Sequence, residues 1–112
     1  MKYEISERYN CVIIPLKGNV MGGPQANGFR EELHQLIEKG KKQVIVDLGK
    51  VKFMNSSGLG ILIAGLTTMR NADGDLRICR ADKKIESLLM VTQLITVFKH
   101  FRTLDEAVAS YN

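Results

Sequence analysis

The residues best placed to do chemistry are Asn55-Ser56-Ser57-Gly58-Leu59-Gly60. They follow an apolar, strand-like run, Val44–Leu48, and a short connection, Gly49–Met54. They open a helix-like run, Leu59–Met69. Two hydroxyls therefore fall at a strand-to-helix junction. The first backbone N–H groups of a helix lack intrahelical acceptors, and the macrodipole is positive at that end. A phosphate placed there is stabilised by both. The junction suits a serine whose charge is to be switched.

Other chemistries fit the same residues poorly. A nucleophile elbow needs G-x-S-x-G, but Met54 and Asn55 precede Ser56. A serine nucleophile also needs a base within hydrogen-bond reach. The two histidines, His34 and His100, read as the solvent edge of a helix and a position after the last strand. Gly58-Leu59-Gly60 starts like G-x-G-x-x-G, but Ile63 stands at the third glycine position, and no G-K-[ST] follows any glycine loop. Cys11 and Cys79 lie in separate apolar runs without ligand spacing, and read as buried free thiols. The expectation is no enzyme, no cofactor and no metal.

The elements that position the serines follow from periodicity. Tyr3–Tyr9 reads as a first strand, with Tyr3, Ile5 and Glu7 on one face, and Asn10 as a turn. Cys11–Leu16 reads as a second strand, apolar on both faces. Within it Pro15 cannot donate to a ladder, which implies a bulge or an unpaired position. Gly18–Gly23 reads as a flexible loop. Pro24 suits the first turn of a helix, whose stripe is Phe29, Leu33, Leu36 and Ile37 and whose stop is Gly40. Val44–Leu48 is apolar enough to be covered on both faces. The second helix buries Leu59, Leu62, Ile63, Leu66 and Met69 and ends at the turn Asn71–Asp75. Leu76–Cys79 reads as a fourth strand, and Asp82 caps a helix carrying Ile85, Leu88 and Leu89. Thr96–Phe98 reads as a fifth strand. Thr103–Glu106 is a capping box that opens a last helix with Leu104, Ala107, Val108 and Tyr111 on one stripe.

The order β-β-α-β-α-β-α-β-α predicts an α/β fold with a mixed, mostly parallel sheet and a helical layer. At 112 residues, 45% hydrophobic and 25% charged, the chain is expected to form one domain over residues 1–112. The net charge of +4 is scattered. Its densest cluster, Lys39, Lys41 and Lys42, suits a helix C-terminus, and aromatics do not interleave with the basic residues, so nucleic acid is not expected. No apolar signal region and no apolar run of ~20 residues is present, so a cytoplasmic chain without a membrane span is expected.

A regulated binding surface fits best. Phosphorylation would add about −2 charge at the junction without unfolding the helix, so its effect would fall on a docked partner. On a helical projection Ile61 points away from the core face, among Gly60, Ala64, Gly65 and Thr68. It is the expected exposed apolar anchor of such a site.

The run Val44-Ile45-Val46-Asp47-Leu48, followed by Phe53-Met54-Asn55-Ser56-Ser57-Gly58-Leu59-Gly60-Ile61-Leu62, resembles the signature of the STAS family, and is most similar to bacterial anti-sigma factor antagonists. The resemblance covers nearly the whole chain. It implies a four- to five-stranded sheet with about four helices largely on one face, in a monomer or weak dimer. It implies a substrate of an ATP-binding anti-sigma factor serine kinase with a histidine-kinase-like fold. The unphosphorylated antagonist binds that kinase and frees the sigma factor; a serine phosphatase reverses the mark. Carried over by position, Ser56 is the phosphoacceptor. The docking surface would comprise Asn55, Ser57, Gly58, Leu59, Gly60 and Ile61, with Asn19, Met21 and Gly22 of the glycine loop. Two departures remove negative charge from that surface: Asn55 replaces the usual Asp, and Asn19, Val20 and Met21 follow Gly18 where an acid is common. The alternative is a STAS scaffold in a larger regulatory assembly, without a phosphate cycle.

Overall fold

A computed structural model of the chain describes residues 4–112. Five strands form one sheet in sequential order: β1 (Ser6–Glu7), β2 (Val12–Val20), β3 (Gln43–Met54), β4 (Asp75–Cys79) and β5 (His100–Phe101). β1 pairs antiparallel with β2, and the remaining pairs are parallel. The helices are α1 (Gln25–Glu38), α2 (Ser56–Asn71), α3 (Lys83–Val91) and α4 (Leu104–Ala109). Each parallel strand is added on the same side of the last. Right-handed crossovers therefore carry α1, α2 and α3 to one face.

Strand alternation divides the core. Val12, Ile14, Leu16, Val44, Val46, Leu48, Leu76 and Ile78 face those three helices, meeting Phe29, Leu33, Leu62, Leu66, Met69 and Leu89. Cys11, Ile13, Ile45 and Cys79 face the other way, where Ala107, Leu104, Val108 and Tyr111 of the α4 segment cover them. Both faces of β2 and β3 are covered, as their apolar runs require. Burial pushes the Cys79 thiol up to about 12, with the Asp47 charge adding to it, and raises Cys11 as well. Both thiols are free and buried. The Tyr111 hydroxyl donates to the Val44 carbonyl at 2.7 Å, and its ring carries the Arg77 guanidinium 3.9 Å from its centre.

Several boundaries differ from the periodicity. Tyr3–Tyr9 narrows to Ser6–Glu7, with Tyr9 fully exposed; Tyr3 lies outside the described residues. β2 runs on through Lys17-Gly18-Asn19 to Val20, so half of the expected loop is strand. The ladder slips between Pro15 and Lys17, where proline removes a donor, and again between Gly18 and Asn19. β3 absorbs the expected connection Gly49–Met54 because β2 continues beside it. The fifth strand is His100–Phe101 rather than Thr96–Phe98. Phe98 is a buried core side chain, and the ladder starts only where Lys99 and Phe101 offer carbonyls to the Ile78 and Arg80 amides.

Candidate functional site

α2 begins at Ser56 because Asn55 stops the strand and caps the helix. Asn55 has extended backbone, its Oδ1 accepts from the Gly58 amide at 2.7 Å, and its carbonyl accepts from the Leu59 amide at 2.9 Å. This leaves the Ser56 and Ser57 amides without intrahelical acceptors. Both serines are exposed, and the first turn carries no acid. The end of α2 thus presents two hydroxyls, two free amide positions and the positive dipole end to solvent. Removing the cap has a defined cost. Asn55→Ala is expected to lower stability by about 1 kcal/mol, and Asn55→Asp to retain it, in urea titrations at pH 7.

The β2–α1 loop is held over this end. The Met21 amide donates to Gln25 Oε1 at 3.0 Å, and Gln25 Nε2 donates to the Asn19 carbonyl at 3.1 Å, so one side chain closes the loop from both sides. Gly22 has φ +92°, and a Cβ there would lie 2.8 Å from the Ser57 Cβ. Only glycine fits that angle and that approach. Asn19, Met21, Gly22, Asn55, Ser56, Ser57 and Gly60 therefore share one partly or fully exposed region. Gln25 escaped sequence reasoning because a lone glutamine at a helix start carries no pattern.

Three expected docking residues lie inside instead. Leu59 is packed in the core. Gly58 is buried against β2: a Cβ there would lie 1.8 Å from the Val20 carbonyl oxygen. Ile61 is only 5% exposed, so it is no surface anchor. It belongs to the main core cluster, beside Ala26 and Phe29 of α1. Gly65 lets the helices close, with its missing Cβ position 2.7 Å from the Phe29 ring. The exposed apolar side chains near the serines are Met21 and Phe53.

Farther back along β3 an ion pair anchors the strand where it outruns β4. Arg80 donates to both carboxylate oxygens of Asp47, each at 2.8 Å, and the Gly49 amide donates to Asp47 Oδ1 at 2.9 Å. Burial alone would raise the Asp47 carboxyl. The bond from Arg80, the Gly49 amide and the Arg80 charge outweigh it and hold the carboxyl below its ordinary value. Arg80 itself sits at φ +58°, and its guanidinium lies over Gly49, where a Cβ would have to displace it.

The fold has known counterparts. The profile of the STAS domain matches residues 2–107. The chain belongs to the STAS domain family. A protein named as an anti-sigma factor antagonist, BtrV of Bordetella bronchiseptica, is 22% identical over 111 residues, spanning 99% of this chain and 95% of that one. A crystal structure described as an anti-sigma factor antagonist of Thermotoga maritima superposes with a TM-score of 0.86 at 20% identity, covering 97% of this chain and 93% of that one. The anti-sigma factor antagonist SpoIIAA in its unphosphorylated form superposes at 0.78 with 16% identity, covering 97% and 95%. Its phosphorylated form, described as a Bacillus cell fate determinant, superposes at 0.74 with 17% identity, covering 99% and 100%. The five-stranded, mostly parallel sheet with four helices is thus the STAS fold. Among the described residues no helix is long and apolar enough to cross a membrane.

Proposed function

We propose that this STAS protein is an anti-sigma factor antagonist whose binding is switched at Ser56. The unphosphorylated form docks an anti-sigma factor serine kinase on the α2 N-terminus and the Gln25-closed loop. Phosphate on Ser56 ends that docking. The observation that carries the reading is the exposed Ser56 at the first position of an asparagine-capped helix, next to Ser57, which Gly22 of the loop approaches. Phosphate there is tolerated by the helix, so its cost falls on the partner, through like-charge contact and desolvation. SpoIIAA, which has the same fold, exists in both unphosphorylated and phosphorylated forms.

Asn55 favours a second reading, a STAS scaffold that binds without a phosphate cycle, because it removes a carboxylate beside the acceptor. Phosphosite mass spectrometry of the protein from its own cells separates the two. Phosphate on Ser56 in some growth states is expected; its absence in all of them supports the scaffold. With the kinase in hand, Ser56→Ala should bind as the unmodified chain does. Ser56→Asp should bind at least ~10-fold more weakly, since an unpaired charge in an interface costs more than 1.4 kcal/mol. Equal affinities would remove the switch.

A further inference from the structure

β4 ends with Cys79 opposite Asp47, but β3 continues to Met54. Among the described residues, Gly49–Met54 has a strand partner on the β2 side only. Where β4 is missing, a groove of about 280 Å³ separates the β3 extension from α3. Phe53, Leu88 and Val91 supply its apolar surface, and Lys52, Lys84 and Asp82 its polar one. Phe53 is 48% and Val91 82% exposed; Met90, which precedes Val91 in α3 but lies outside the groove, is 64% exposed. Such a concentration of exposed large apolar groups marks an interaction surface.

The charges indicate what covers it. Asp82 is committed to α3: its Oδ1 accepts from the Ile85 amide at 2.8 Å. Lys83 and Lys84 occupy the first turn of α3, where the dipole disfavours cations, and the acid of that turn, Glu86, lies outside the groove. Lys50 and Lys52 stand exposed on the β3 extension. Carboxylates from outside would offset both the lysines and the dipole. A second copy of this chain is disfavoured, because a twofold interface here would set lysines against lysines.

We propose that this groove is a second docking site on the same partner, taking a segment with an apolar side chain flanked by carboxylates. The proposal rests on the reading of the α2 N-terminus as a docking face. Phe53-Met54 runs directly into Asn55-Ser56, so one partner can span both.

Photo-cross-linking in the source cells tests it, with p-benzoylphenylalanine replacing Met21 in one full-length variant and Val91 in another. The expected result is the same protein captured at both positions, with the Val91 cross-link on a peptide whose apolar residue is flanked by Asp or Glu. In binding to that purified protein, Lys52→Glu with Lys84→Glu should lose at least ~10-fold in affinity, while Lys99→Glu changes nothing. Capture at Met21 alone overturns the groove and leaves the serine face standing. Capture of a second copy of this chain at Val91, or of a peptide without carboxylates, overturns the groove. Capture at neither position overturns both readings.

Discussion

Gly58→Ala is expected to destabilise the protein by about 3 kcal/mol or more, the upper range for overpacking in a tight interior. The added Cβ would lie 1.8 Å from the Val20 carbonyl oxygen and 2.6 Å from its carbon. The clash is with backbone, so no side chain can rotate away. Val20 is also the last rung of β2, paired with Met54, and its carbonyl faces the Asn55 amide at 3.4 Å. Relief therefore requires the start of α2 to move away from β2, taking Ser56 with it. Thermal unfolding should show a fall of about 10 °C or more. An amide-resolved NMR comparison should place the largest shifts at residues 20–22 and 55–59. A variant as stable as the parent would show that this approach is not fixed. Gly60→Ala is the reference: nothing lies within 4 Å of its Cβ position, and it should be near neutral or slightly stabilising.

The second large effect concerns the ion pair at the end of β4. Arg80→Ala should cost about 3 kcal/mol, because it strands a carboxylate that is 8% exposed. Asp47→Asn should cost less, since the Arg80 side chain is 45% exposed and can return to water. The two differ in pH dependence. In the parent the Asp47 carboxyl lies below its ordinary value despite burial. Its stabilisation is complete above the unfolded pKa, near ~4, and is lost as pH falls through the lower folded value. Without Arg80 the largest lowering influence on that carboxyl is gone, leaving the Gly49 amide and Cys79 against burial. Protonation then costs the variant less than the parent, and the difference shrinks as pH falls. The stability gap between parent and Arg80→Ala, from urea titrations, should therefore narrow from pH 7 to pH 3.5. A gap that is constant over this range would mean that the pair contributes through packing alone.

These two positions show how far the chain could be read before folding. The alternation in Val12–Leu16 and Val44–Leu48 and the stripe from Leu59 to Met69 fall where the strands and α2 form. The capping residues Asn55, Asp82 and Thr103 act locally, each accepting an amide three residues on, so local sequence carries them. The strand extensions are different. Lys17–Val20 and Gly49–Met54 lack periodicity and form a ladder only because each supplies the other's hydrogen bonds. Asp47 and Arg80 meet across 33 residues, and Gly22 meets Ser57 across 35.

By itself the sequence determined that a hydroxyl pair sits at a strand-to-helix junction, that the strands are covered on both faces, and that the chain resembles the STAS family. Those facts depend on residue type and on spacing within single elements. Tertiary structure alone decided what surrounds the serines. It turned Ile61 from an outward-facing residue into part of the α1–α2 contact, made Gly58 a packing position, and placed Gln25 and Gly22 around Ser57. A helical projection gives the direction of a side chain, but burial depends on which neighbour arrives there, and that is settled only when the whole sheet and its helices pack.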